Sequence, residues 1–197
     1  MLSKATERVL NTPSGAFMEE VDAFGDSQFA FRKRRGCADL VFLLMCSWLR
    51  DFQLRRKIGI FLSDISGAFD RVDTEKLFKK LRRTGVCEPL LVLVADYLGP
   101  RRAQVGVDGE LSFEFTLQNM IFQGTVWGPS LWNVFFSDVH APAEHTGGRE
   151  RRFADDLSVS KSFERSVANE EILADLQECQ ASVLAWGDLN RVKFDLT

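Results

Sequence analysis

Apolar residues recur along this chain in two rhythms. Over residues 38–54, Leu40, Phe42, Leu43, Leu44, Trp48 and Leu49 keep a helical repeat, which predicts an amphipathic helix buried on one side. Residues 58–62, Ile58-Gly59-Ile60-Phe61-Leu62, form a short unbroken apolar run between Arg55-Arg56-Lys57 and Ser63-Asp64, the pattern of a buried strand. Asp73-Thr74 caps a helix over 75–83 that turns Leu77, Phe78 and Leu81 inward. A second helix fills 88–98, with Pro89 in its first turn and Gly99-Pro100 at its end. Asp108-Gly109 marks a hairpin within 103–117, where apolar and polar residues alternate. A loop at Gln123-Gly124-Thr125 leads into an apolar helix from 129 to 139, and Pro142 with Gly147-Gly148 marks a turn. Two short strands follow at 151–153 and 157–161, with Asp155-Asp156 at the tip between them. In a last helix, over 167–186, Ile172, Leu176, Cys179, Val183 and Trp186 share a face. Residues 3–24 read as helical in two pieces, broken at Asn11-Thr12-Pro13-Ser14-Gly15, and precede a basic loop at 28–36. Helices and hairpins mixed in this way predict an α+β fold.

Composition narrows the class. At 197 residues, 45% hydrophobic and 27% charged, the chain suits one domain, or one domain with a small attached subdomain, and its 17 Phe can fill a sizeable core. No apolar run is long enough to span a bilayer and the N-terminus lacks a signal-peptide core, so an intracellular, soluble protein is expected. Four dispersed cysteines without a CxxC pair read as reduced thiols, and His140 and His145 as surface residues. The formal charge of -3 conceals a division along the chain. Residues 32–102 carry 16 basic and 8 acidic groups, whereas residues 103–197 carry 7 basic and 15 acidic groups. A basic middle can track a phosphate backbone, while carboxylates elsewhere can hold cations or face solvent.

Two acidic sites interrupt apolar surroundings: Asp64, directly after the predicted strand at 58–62, and Asp155-Asp156, between Phe153-Ala154 and Leu157. Several carboxylates at the ends of core strands are tolerable where a cation lies among them. Oxygen ligands in this number suit Mg²⁺. Two such ions, typically ~3.5–4 Å apart, can clamp the attacking and leaving oxygens of a phosphoryl displacement. An Asp-Asp pair is also an ordinary turn sequence, so the pair by itself does not decide between these readings.

The order of motifs does more. Asp64-Ile65-Ser66-Gly67-Ala68-Phe69-Asp70-Arg71-Val72 resembles motif A of the reverse transcriptases of non-LTR retrotransposons. Phe122-Gln123-Gly124-Thr125-Val126-Trp127-Gly128-Pro129-Ser130-Leu131-Trp132-Asn133 resembles their motif B, and Phe153-Ala154-Asp155-Asp156 their motif C. Gln28-Phe29-Ala30-Phe31-Arg32 is similar to their upstream fingers motif. The helix at 167–186 with Asn190 and Phe194-Asp195 resembles the start of motif D. The sequence departs from the family at Phe122, where Pro is usual, at Trp127, where a smaller aliphatic is common, and at Ala30, where Gly is usual.

The resemblance implies a right-hand polymerase palm, a small antiparallel sheet packed on helices. Residues 1–57 would contribute part of the fingers and 58–197 the palm, with finger/palm helices and a hairpin at 74–117, ending before a thumb. It implies an RNA-directed DNA polymerase that joins deoxynucleoside triphosphates to a DNA primer on an RNA template. Two Mg²⁺ ions are the implied cofactor, with Mn²⁺ able to substitute. Asp64, Asp155 and Asp156 would be catalytic and metal-binding, joined by the Ile65 carbonyl. Gly67, Ala68 and Phe69 would meet the nucleotide, Phe69 lying under the sugar where it excludes a 2′-hydroxyl. Gln123 and Gly124 would border nucleotide and template, Arg32 would contact the triphosphate, and Lys33, Arg34 and Arg35 would hold template phosphates. Asp70 reads as structural. A nuclear location follows from the family alone. Three other readings stay open: a remnant that only binds nucleic acid, an RNA-templated RNA polymerase, and a metal-dependent glycosyltransferase.

Overall fold

A computed structural model describes residues 2–118 and 120–195. The first helix, α1 (Leu2–Glu20), runs unbroken through the segment where the sequence predicts a break. Pro13 has no N–H to give the carbonyl four residues back, but its neighbours offer hydroxyls to the same stretch. Thr12 Oγ1 donates to Arg8 O and Ser14 Oγ to Leu10 O, each at 2.8 Å. After the basic loop come α2 (Cys37–Gln53) and strand β1 (Lys57–Ile65), which is longer than its apolar run and carries Asp64 within it. Helix α3 (Thr74–Arg83) is capped as predicted, the Asp73 carboxylate accepting the Lys76 N–H at 2.9 Å. Helix α4 (Glu88–Tyr97) follows with Pro89 in its first turn.

The predicted hairpin splits into two short ladders, β2 (Arg101–Ala103) with β5 (Phe115–Leu117), and β3 (Gly106–Val107) with β4 (Glu110–Leu111). Between them the Ser112 hydroxyl accepts the Val105 N–H at 2.9 Å, which supplies the partner that a ladder carbonyl would have given. Helix α5 (Gly128–Phe135) is followed by a 3-10 turn and by α6 (His140–His145). Pro142 therefore lies in a helix rather than in the expected turn. In the first turn of a helix proline forfeits no hydrogen bond. Strands β6 (Arg149–Phe153) and β7 (Asp156–Phe163), helix α7 (Asn169–Asn190) and strand β8 (Phe194–Asp195) complete the order.

The strands of the main sheet lie in the order β6-β7-β1-β8, every pair antiparallel. Alternation gives this sheet two unlike faces. Ile65, Leu157, Val159 and Phe194 join one core with Leu77, Leu81, Leu131, Trp132, Phe135, Phe136, Cys179 and Val183. Gly59 lets α7 lie close to β1 on this face, since a Cβ there would meet Leu176 Cδ1 at 3.0 Å and Ile172 Cγ2 at 3.1 Å. The opposite face carries Leu62, Asp64, Asp156 and Ser158, and α2 covers part of it through Leu40. The acidic residues thus sit on the side of the sheet that the main core leaves open.

Candidate active site

Register brings the predicted carboxylates together. The pairing of β1 with β7 runs as far as Ser63 opposite Leu157, so one step on Asp64 comes level with Asp156. Phe153 pairs with Asp156, so the turn between β6 and β7 is only Ala154-Asp155. Asp156 is therefore the first residue of β7 and not part of the tip, as the sequence suggested. On its other flank Asp64 pairs with Asp195 of β8. Asp64, Asp156 and Asp195 line a cavity of about 520 Å³, together with Leu40, Leu62 and Arg151.

The cluster is electrostatically tense. Burial pushes the Asp155 carboxyl above its ordinary value, and the nearby charges of Asp64 and Asp156 push the same way, against one main-chain hydrogen bond. Asp156 is raised as well, first by desolvation and then by Asp64. Among the described residues, no three His, Cys, Asp or Glu side chains stand close enough together to hold an ion as they are. Asp64 Oδ1 accepts the Ile65 N–H at 2.8 Å. A side-chain rotation frees that oxygen, and three mutually repelling carboxylates are the donor chemistry a hard divalent cation takes. The residues present fit such an ion. The Ser66 N–H donates to Lys193 O on the β8 side, so ladder alternation turns the main-chain groups of Ile65 away from β8.

The model of the family "Reverse transcriptase (RNA-dependent DNA polymerase)" matches residues 1–196. The chain belongs to the reverse transcriptase family. It is 28% identical over 190 residues to the probable RNA-directed DNA polymerase from transposon BS of Drosophila melanogaster, a match covering 94% of this chain and 20% of that protein. It is 31% identical over 165 residues to the RNA-directed DNA polymerase from mobile element jockey of the same species, covering 80% of this chain and 18% of that protein. The reverse transcriptase domain described here thus spans about a fifth of the length of these non-LTR retrotransposon relatives. The structure of apo telomerase from Candida tropicalis superposes on 98% of this chain and 36% of its own, with a TM-score of 0.62 at 11% identity, which shows the shared α+β fold. Among the described residues, no helix is long and apolar enough to cross a membrane.

Other predicted residues of this reverse transcriptase domain are placed less uniformly. Gly67 has φ 64°, a left-handed conformation that favours glycine, and it starts the 3-10 turn Ala68–Arg71. Ala68 is buried, and the half-buried Phe69 ring stacks on Trp132 with centroids 5.6 Å apart and planes at 28°. Phe69 O accepts the Ile121 N–H at 2.7 Å, tying this turn to the loop that leads to Gln123. Gln123 and Gly124 are exposed and line a separate cavity of about 630 Å³ with Tyr97, Arg101 and Trp127, apart from the carboxylates. Arg32 is not presented to a triphosphate in this structure. Its side chain is 4% exposed and ion-paired to Glu19 at 2.5 Å, and Nη1 donates to Gly25 O at 2.6 Å. A guanidinium so enclosed secures the loop after α1. Arg35 pairs with Asp26 at 3.0 Å, whereas Lys33 and Arg34 are exposed. The cysteines are unpaired, as expected, with Cys179 buried and the other three exposed.

Two residues escaped the sequence reading as contributors to this site. Asp195 stands beside Asp64 only because β8 pairs with the end of β1, a contact across 131 positions. Its neighbourhood resembles motif D, but no local pattern marks the carboxylate. Arg152, within the strand predicted at 151–153, is completely buried.

Proposed function

We propose that residues 1–57 form part of the fingers and residues 58–197 the palm of an RNA-directed DNA polymerase, and that this chain adds deoxynucleotides to a primer 3′-hydroxyl. The observation that supports the reading is the convergence of Asp64, Asp155 and Asp156 at the ends of adjacent strands, close enough that Asp64 raises the pKa of both others. Asp64, Asp155, Asp156 and the Ile65 carbonyl are the residues that would hold Mg²⁺. Bound there, the metal supplies Lewis acidity that eases deprotonation of the 3′-hydroxyl and offsets charge on departing pyrophosphate. Around it the chain's own groups orient the substrates. Gly67 and Ala68 form the floor beside the sugar, Gln123 and Gly124 border the base and template, and the exposed Lys33 and Arg34 meet template phosphates.

Phe69 sets the choice of sugar. Its ring is stacked on Trp132, which resists its swinging aside to admit a 2′-hydroxyl. Primer extension on an RNA template with Mg²⁺ tests the whole reading: deoxynucleotides are expected to be incorporated in template order and ribonucleotides to be refused. Equal use of both sugars would point to RNA synthesis, and salt-dependent RNA binding without extension to a domain that only binds. Phe69→Ala is expected to lower the preference for deoxynucleotides by about a hundredfold, which corresponds to ~2.7 kcal/mol of transition-state discrimination. An unchanged ratio of kcat/KM between the two sugars would remove Phe69 from that role.

A further inference from the structure

Gln28 lies in the loop after α1, far along the chain from β6 and β7, yet it is 0% exposed. Its carboxamide is used at both ends on one residue. Oε1 accepts the Ala154 N–H at 3.0 Å and Nε2 donates to Ala154 O at 3.0 Å. Oε1 also accepts the Ala30 N–H at 3.0 Å, which fixes which end of the amide is oxygen. A second donor reaches the same carbonyl: Trp132 Nε1 stands 3.1 Å from Ala154 O, and Trp132 is completely buried. Both main-chain polar groups of Ala154 are therefore held by buried side chains.

Ala154 is a residue that needs holding. It adopts φ 59°, in the left-handed region that L-residues other than Gly, Asn and Asp seldom occupy. The segment carrying Gln28 is itself anchored to β6, with the Arg152 N–H donating to Ser27 O at 2.8 Å and the Phe29 N–H to Arg152 O at 3.0 Å. A neutral carboxamide carries a donor and an acceptor side by side, so it can meet one residue's C=O and N–H together. On the other side, Trp132 stacks against Phe69, so the ring beside the nucleotide sugar and the turn bearing Asp155 share one support.

We propose that Gln28 and Trp132 are positioning residues: together they fix the left-handed Ala154 peptide and thereby aim the carboxylate of Asp155, the next residue. This rests on the reading of Asp155 as a metal ligand. Neither side chain touches substrate. They act through the backbone, as outer-shell partners do when they orient a ligand.

The test compares the wild-type chain with Gln28→Met, which keeps length and loses all three side-chain hydrogen bonds, two of them to Ala154, and with Trp132→Phe, which keeps a ring and loses the N–H. Mn²⁺ binding is followed by the paramagnetic resonance of the free ion, Ala154 amide exchange by NMR, and deoxynucleotide kcat and KM by primer extension. Both variants are expected to exchange the Ala154 amide faster. They should bind Mn²⁺ more weakly, by roughly 10–100-fold for Gln28→Met. They should also lose kcat while KM for the deoxynucleotide holds. Folded variants that bind Mn²⁺ and turn over like wild type would overturn the proposal, whatever their melting temperatures. Should Gln28→Met not fold, Trp132→Phe decides alone. A wild-type chain that binds Mn²⁺ no better than Asp155→Asn would instead sink the metal-site reading, and the positioning role with it.

Discussion

Replacing Asp155 by Asn is expected to reduce primer extension by about a thousandfold or more, because a metal cradle contributes several kcal/mol of charge stabilisation in the transition state. The same substitution should not weaken the fold. In the metal-free protein, burial and the charges of Asp64 and Asp156 all hold the Asp155 carboxyl above its ordinary value. The sign follows from linkage: a folded-state pKa that is raised favours folding while the group is protonated, and that contribution is lost as pH rises through the shifted value. Asn resembles the protonated form at every pH. The variant should therefore melt about 1–3 °C above wild type near neutrality. The difference should vanish below about pH 4, where an unfolded carboxylate is protonated too. Mg²⁺ should raise the melting temperature of wild type and leave that of the variant in place, since only a binding-competent folded state is stabilised by mass action. Thermal melts across pH, with and without Mg²⁺, check all of this. A variant that loses activity because it melts well below wild type would show that Asp155 is structural.

Arg152→Met is expected to cost about 3–5 kcal/mol of stability, the usual result of removing one partner from a buried ion pair. Arg152 and Glu150 sit 2.5 Å apart, with side chains 0% and 4% exposed. The guanidinium also donates to Phe136 O at 2.5 Å, Phe24 O at 3.2 Å and Ser27 Oγ at 2.9 Å. Desolvation pulls its pKa below the ordinary value despite the attraction of Glu150, so this charge is kept at a cost. Methionine would fill part of the volume but leave Glu150 with the Ser27 hydroxyl as its remaining donor, at 2.8 Å. Two carbonyls would lose a donor as well. For a domain of this size such a loss lowers the melting temperature by roughly 6–20 °C. Removing the stranded charge too, in Arg152→Met with Glu150→Leu, should recover much of the loss, because a buried pair replaced whole by apolar groups is often nearly neutral. Denaturant titration of the two single variants and the double variant measures this coupling. Additive losses would mean that the pair does not act as a unit. Because Arg152 lies two residues before Ala154, the pair also supports the strand from which the acidic turn departs.

Local physics made much of this chain legible from its sequence. The apolar periodicity around Leu40 and around Cys179, the Asp73 cap and the Asp108-Gly109 turn each express an interaction among residues near in sequence, and each element formed close to where it was expected. Asp64 and Asp155-Asp156 could be picked out for a similar reason, since carboxylates beside apolar strands are conspicuous in one dimension. Helix α1 passing through Pro13 was less legible, because two hydroxyl side chains supply bonds to nearby carbonyls that proline statistics do not anticipate.

Tertiary structure alone decided the rest. Whether a charged side chain is free or enclosed depends on what packs over it. Arg32, in a basic loop, is enclosed by Glu19, and Arg152, in a strand, by Glu150 and three further acceptors, while Lys33 and Arg34 stay in solvent. Nor could the sequence place Asp195 beside Asp64 or Gln28 beneath Ala154, since strand register and a two-ended amide contact join residues more than a hundred positions apart. Sequence determined which groups stand out as candidates for the chemistry; the closing of distant chain segments onto one sheet decided which of them meet, and how firmly each is held.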